Sequence, residues 1–284
     1  MGKVRIVVIG DGKTADKFCE ENVKNDFIEI VGRIPDNMLN DNKSIQYKDL
    51  LEKSDMGFTL GYSKIIPGEI CDKYFIINLH AGVLPKWRGF SANAWAIMNN
   101  ENEIGYSLHR VTRNIDGGLL FYVKHIPINK EQTMSDVYDD MIWSIIRDCP
   151  EKLHGIFNGN ILGRIQTKDN LVYCTRFNAE MGIIRDFSRT ADYYVNLYRC
   201  MAEPVGSGIS FYYKTEKYRV GKIEHGCKYG ATDYLCQEGK VVNIQDGELW
   251  VKVKDNVIVL SRLKKNGVDI NPREHFVNGT IVGD

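Results

Sequence analysis

The chain has 284 residues, with 37 Lys and Arg against 37 Asp and Glu, so its formal net charge is zero. This length suits one large or two modest domains with ample buried core, and no apolar run approaches the ~20 residues of a membrane-spanning helix. Balanced charge leaves no overall electrostatic footprint for nucleic acid, and seven cysteines without paired spacing point to reduced thiols in the cytoplasm.

The first residues carry no signal-peptide pattern. Gly2 fits the start of a buried strand better than an acylation site. Residues 4–9, Val-Arg-Ile-Val-Val-Ile, read as a parallel-sheet strand, followed by Gly10-Asp11-Gly12-Lys13-Thr14-Ala15 and a helix to about Asn22. The glycines match the dinucleotide-binding fingerprint, and Glu29 in the next strand could hold a ribose. An NAD-dependent oxidoreductase is therefore one reading. The same glycines also suit the tight turn by which any helix packs back on its strand. Further strands are expected at residues 27–31, 56–60 and 75–79, with a polar, Asn- and Asp-rich connection at 36–43. Strands alternating with helical patterns at this spacing predict an α/β fold, a Rossmann-like, mainly parallel sheet with right-handed crossovers. Ligands of such sheets bind beyond the carboxyl ends of the strands.

At that end of the fourth strand stand Asn78 and His80, two residues apart and so on one face. The loop Leu84-Pro85-Lys86-Trp87-Arg88-Gly89 follows, then a short helix at 91–99 with Ser91 or Asn93 as its cap. A second alternating strand, 106–111, leads to Asp116 in a turn before Gly117-Gly118. Amide, imidazole and carboxylate are a donor, a general acid/base and an orienter, which is what acyl transfer requires. Singly, each has an ordinary use as a turn former or structural side chain. A metal site of His80, His109 and Asp116 is a third possibility, although no Cys/His spacing matches a zinc motif.

A strand is expected at 119–126. From 133 to 158, Val137, Met141, Ile145, Ile146, Leu153 and Ile156 form a helical stripe interrupted by Pro150. Residues 1–162 are thus expected to form the catalytic domain, and 163–207 a mostly irregular connector with a short helix at 191–201. Residues 208–284 show about five short strands, at 209–213, 218–223, 241–244, 249–253 and 257–260, and predict a small OB-like β-barrel. OB folds often bind nucleic acid, but Tyr212, Tyr213, Tyr218 and Trp250 suit a barrel core equally well.

The order Asn-x-His, Leu-Pro-x-x-Arg-Gly and Asp before a Gly turn, within residues 78–118, resembles the catalytic segment of the folate-dependent formyltransferases. Gly61-Tyr62-Ser63-Lys64-Ile65-Ile66-Pro67, and the region from Tyr194 onward, resemble further parts of their two-domain members. The resemblance implies N10-formyltetrahydrofolate as co-substrate and no metal. It implies that Asn78, His80 and Asp116 are catalytic. Asn78 would donate to the developing oxyanion, and His80 would move the proton from the attacking amine to the leaving folate nitrogen. Asp116 would fix the imidazole and raise its pKa. By the same resemblance the pterin would lie against Lys64, Ile65 and Ile66 and the turn Thr112, Arg113, Asn114, Ile115 and Asp116. Two aliphatic side chains beside free backbone groups can sandwich a flat ring, or they can simply anchor the next helix.

Family members formylate methionyl-tRNA, glycinamide ribonucleotide or nucleotide-linked amino sugars. A C-terminal barrel argues against the glycinamide enzymes, which resemble only the first domain. The connection at residues 35–49 is short, with three acidic residues against two lysines, where the tRNA enzymes carry a longer basic insertion. Recognising tRNA takes several Lys/Arg–phosphate contacts, for which this composition offers little. His109-Arg110 also looks closer to the sugar enzymes, although Phe90 stands where one such family shows Arg. The expected partner is a dTDP- or UDP-linked amino deoxy sugar used in surface polysaccharide such as lipopolysaccharide O-antigen, with no nucleic acid and no membrane partner. A homodimer goes with these expectations, and methionyl-tRNA formyltransferase is the alternative.

Overall fold

Strand after strand of the N-terminal half is apolar on both faces, as parallel strands between helices must be. The computed structural model describes residues 2–36, 38–39, 45–231 and 234–283, with backbone alone at 45 and 46. Most of the polar connection expected at 36–43 lies outside the described residues. The elements run β1 (Val4–Ile9), α1 (Lys13–Glu21), β2 (Ile28–Ile34), α2 (Ile45–Lys53), β3 (Met56–Leu60), α3 (Gly68–Lys73) and β4 (Ile76–His80). Then come β5 (Trp87–Gly89), α4 (Ala92–Met98), β6 (Glu103–Arg110), β7 (Leu120–Pro127), α5 (Met134–Phe157) and β8 (Val172–Cys174). The remainder is β9 (Ile183–Ile184), α6 (Ala191–Met201), β10 (Ile209–Tyr213), β11 (Glu216–His225), β12 (Val241–Gln245), β13 (Glu248–Lys252), β14 (Val257–Lys265) and β15 (Val268–Asp269).

The chain divides into two units. The first comprises Met1–Ala96, Glu103–Pro127 and Asp139–Arg176; the second comprises Ile97–Asn102, Ile128–Tyr138 and Phe177–Asp284. In the first, a six-stranded sheet has the order β2-β1-β3-β4-β6-β7. β1, β2, β3 and β4 run parallel, and β6 and β7 add antiparallel edges. Every residue of β3 is buried. The expected helical stripe of Val137, Met141, Ile145, Ile146, Leu153 and Ile156 is buried throughout. Its helix runs through Pro150 rather than stopping there. Proline cannot donate to the carbonyl four residues back, and that carbonyl, Ile146 O, instead accepts from Asn22 Nδ2 at 3.4 Å.

The glycine turn after β1 is used internally. Arg33 Nε donates to Gly10 O at 2.9 Å and its guanidinium pairs with Asp16 and Asp11, while Asp36 N donates to Asp11 Oδ2 at 2.7 Å. Glu29 lies opposite Arg5, at the far end of its strand from Gly10. Glu29 is therefore not placed at the phosphate turn to make the ribose contact of the dinucleotide reading.

In the second unit a sheet of order β12-β13-β14-β11-β10-β9 takes in all five expected strands. Near the C-terminus, Val241 N donates to Thr280 O at 2.7 Å and Gly283 N to Tyr212 O at 3.0 Å. That segment thereby bonds both β12 and β10, at opposite sides of the antiparallel sheet. Phe211, Tyr218 and Phe276 pack into its core. Among the described residues no helix is long and apolar enough to cross a membrane.

Candidate active site

β4 ends with Asn78 and His80, and β6 runs antiparallel beside it, setting His109 opposite Asn78 and Ser107 opposite His80. The chain then turns through Asp116, a non-glycine residue at φ 47°, left-handed backbone that Asp tolerates better than most residues. The three residues expected to work together are thus brought together, and His109 joins them.

His80 Nδ1 lies 3.4 Å from Asp116 Oδ2, and His109 Nε2 lies 3.2 Å from Asp116 Oδ1. Gly89 N donates to Asp116 Oδ2 at 2.8 Å. Asn78 Nδ2 is 2.9 Å from His109 Nε2 and 3.4 Å from Asp116 Oδ1, and Thr59 Oγ1 bonds Asn78 Oδ1. His109 Nδ1–H donates to Arg110 O at 2.9 Å, so in the neutral ring Nε2 is the acceptor for Asn78. Thr59 on β3 and His109 on β6 therefore hold the Asn78 amide from both sides.

His80 has an acceptor at each ring nitrogen, because Nε2 lies 2.6 Å from Trp87 O. A neutral ring donates to one of them only, and a protonated ring satisfies both. Burial lowers the His80 pKa from its ordinary value; the Asp116 carboxylate pulls it back up, and His109 adds to the lowering. The expected upward pull of Asp116 is therefore present, but desolvation outweighs it. Burial pushes the Asp116 carboxyl up, yet the neighbouring His109 and His80 rings and the Gly89 amide together bring it down to about 2. The result is a fixed carboxylate beside a buried imidazole, a pairing suited to taking up and releasing a proton.

The support around this cluster had little trace in the sequence. Gln166 Nε2 donates to Asp116 O at 2.8 Å and Gly118 O at 2.7 Å, clamping the turn, and buried Arg88 donates to Gln166 Oε1 at 2.9 Å. Ser107 Oγ donates to Gly82 O at 2.7 Å and accepts from Leu84 N at 3.1 Å, fixing the loop after His80. Arg110 is spent on structure, donating to Ile76 O, Cys71 O and Tyr74 O. Asn93 is no cap. It sits inside α4 and exchanges hydrogen bonds with the Gly105 backbone at 2.9 and 3.0 Å.

Of the two loops expected to hold a flat ring, the second is tied to the helix that follows the first, since Arg113 pairs with Asp72 of α3 and packs over Gly68. Lys64, Thr112 and Asn114 are exposed, as are Ile65 at 75% and Ile115 at 53%. Ile66 belongs to the core with Val7, Ile9 and Ile76. Only one of the two neighbouring isoleucines faces outward. Among the described residues no group of three or more His, Cys, Asp and Glu side chains is arranged to hold a metal ion.

β5 pairs with β8 as a separate two-stranded ladder. Phe90 follows directly after Gly89, is 44% exposed, and has the Arg176 guanidinium 4.6 Å from its ring centre. Phe90 N donates to Cys174 O at 3.1 Å, and Trp95 Nε1 donates to Thr175 O at 2.8 Å. An aromatic face and a cation are thereby held one residue from the amide that binds Asp116.

Because burial depresses the His80 pKa, the acidic limb of a kcat/KM profile is expected below the ordinary histidine value of about 6.5. Asp116→Asn removes an upward pull on that pKa, so the limb should move to lower pH while kcat falls. Rates measured from pH 5 to 9 check this. An unchanged limb with only a raised folate KM would make Asp116 a binding residue instead.

Comparison with known proteins follows the same division of the chain. The formyl transferase family model matches residues 6–142, and the formyl transferase C-terminal domain model matches residues 176–280. The bifunctional polymyxin resistance protein ArnA of Wigglesworthia glossinidia brevipalpis is 30% identical over 175 residues, 61% of this chain and 26% of that protein. The methionyl-tRNA formyltransferase of Pelagibacter ubique is 26% identical over 221 residues, 77% of this chain and 70% of that protein. The structure of an N-formyltransferase from Helicobacter canadensis, in complex with folinic acid and dTDP-3-aminofucose, superposes with a TM-score of 0.65 at 19% identity. It covers 93% of this chain and all of that one.

Proposed function

The chain belongs to the formyl transferase family, and from that premise we propose that it moves a formyl group from N10-formyltetrahydrofolate to the amine of a nucleotide-linked amino deoxy sugar. The observation that carries the chemistry is the cluster of Asn78, His80 and Asp116 at the end of β4. The neutral amine attacks the formyl carbon, forming the new C–N bond, and the formyl oxygen becomes an oxyanion. Asn78 Nδ2 turns a donor to it. His80 takes the amine proton, and Asp116, beside its Nδ1, holds the ring. The bond to N10 then breaks, and the same proton passes to the departing folate nitrogen. The exposed loops at Lys64-Ile65 and Thr112-Arg113-Asn114-Ile115 are the proposed folate contacts, with Ile66 shaping the loop from below. No step requires a metal.

For the acceptor, support comes from Phe90 and Arg176, which offer a flat face for a base and a cation for a diphosphate. The neutral net charge and the ligands of the Helicobacter canadensis enzyme agree with a small acceptor. We place the enzyme in the cytoplasm and expect a homodimer. The names of sequence relatives at 24–27% identity favour a second reading, methionyl-tRNA as the acceptor.

A thermal-shift screen of dTDP- and UDP-linked amino sugars, run with a non-transferring folate, tests the acceptor, since ligands stabilise the fold they bind. Arg176→Gln is expected to raise the acceptor KM by about tenfold, the loss of one charge-assisted contact, while leaving the folate KM unchanged. Equal KM values for variant and parent would remove Arg176 from the acceptor site.

A further inference from the structure

The second unit carries a feature that the chemistry above does not use. A cavity of about 230 Å³ is lined by Arg219, Arg262, Lys264, Tyr198, Glu203 and Gly208, among others. Three cationic side chains converge on one small concavity, and the backbone is bent to allow it.

Arg262 lies within β14 at φ 54°, a left-handed conformation that non-glycine residues adopt at a cost. The β11·β14 register passes from Val220↔Leu263 to Lys222↔Ser261 and leaves Gly221 and Arg262 unpaired. The register is the same on both sides, so the distortion is local to Arg262. Gly221 is required here, because a Cβ on it would stand 2.6 Å from Arg262 Cβ. Gly208 lies against the Arg219 guanidinium, and its φ of 81° is backbone that favours glycine. Two glycines and a strained arginine thus shape one site.

Charge points to the occupant. Arg219 and Lys264 stand directly opposite each other across the ladder, a like-charge pairing that destabilises a sheet unless anions offset it. Glu203 pairs with Arg219, which also donates to Ser207 O at 3.1 Å, and Asp269 lies 3.6 Å from Lys264. Among the described residues Arg262 has no carboxylate partner, so a positive charge is left over where the backbone strain has placed it. The volume is below the ~300–1,000 Å³ of sites that enclose whole small molecules. It suits one or two phosphate groups.

We propose that this cavity binds a phosphate or diphosphate group, with Arg262 and Arg219 as its principal donors and Lys264 adding charge. Planar guanidinium forks match phosphate oxygens two at a time. The site belongs to the second unit and is independent of which acceptor the first unit serves.

The test is the melting temperature of the full chain with inorganic pyrophosphate, against KCl at matched ionic strength, for the parent and Arg262→Asn. Asparagine tolerates the left-handed backbone, so without pyrophosphate the variant should melt within about 2 °C of the parent. At 10 mM pyrophosphate the parent is expected to gain about 4 °C or more, and the variant less than a third of that. A nucleoside diphosphate and a short RNA in parallel wells distinguish a small anion from a nucleic-acid backbone. The proposal is overturned by a parent shift no larger than that in KCl, by equal shifts in both proteins, or by stabilisation with RNA alone. It also fails if Arg262→Asn melts well below the parent without ligand, because the side chain would then be holding the fold.

Discussion

Replacing His80 with Asn is expected to lower kcat by about 10²- to 10⁴-fold, the usual contribution of a positioned acid/base group. The fold should persist. His80 is 6% exposed, and an asparagine amide keeps a donor at the place of Nδ1, beside Asp116. What is lost is a group able to take a proton and return it, since an amide does not titrate in this range. KM for the folate should change little, because the folate loops are separate residues. The variant is compared with the parent at saturating formyl donor, with circular dichroism and melting temperature as controls. Turnover equal to the parent's in a folded variant would remove His80 from the chemistry.

Asn78→Ala is expected to cost about 10²- to 10³-fold in kcat, the measured range for deleting one oxyanion donor. It also leaves Thr59 Oγ1 and His109 Nε2 without the partner they share. Unsatisfied buried groups cost about 1–3 kcal/mol, so a lower melting temperature should accompany the loss. Thr59→Val separates the two effects. It removes the bond that orients the amide but leaves the donor in place, so kcat should fall less than in Asn78→Ala. If Thr59→Val and Asn78→Ala lose activity equally, Asn78 acts by holding the cluster together and not by binding the oxyanion.

What the sequence made legible follows from how far each interaction reaches along the chain. β1, β3 and β4 are short apolar runs, and burial on both faces is the physical reason they stand out. Asn78 and His80 are readable as a pair because alternation along a strand puts them on one face, and Asp116 because its turn is flanked by glycine. Gln166 could not be found in this way. It reaches Arg88 across 78 positions, and nothing near it in sequence marks that contact. The parallel pairing of β5 with β8 is hidden for the same reason, and with it the placing of Arg176 over Phe90. Ile65 and Ile66 are adjacent aliphatics, and only packing decides that the second is core and the first exposed. The pull of Asp116 on His80 was foreseeable from charge, but burial outweighs it, and burial depends on the loop that closes over the ring.

The most direct measurement is formyl transfer itself, with the purified chain, N10-formyltetrahydrofolate and a panel of dTDP- and UDP-linked amino sugars, alongside methionyl-tRNA. Formylation of at least one amino sugar is expected, abolished in His80→Asn. Its rate should change little between ~50 and ~200 mM salt, a range over which binders of many phosphates lose orders of magnitude. Efficient, steeply salt-dependent formylation of methionyl-tRNA, with no turnover of any nucleotide amino sugar, would contradict the account.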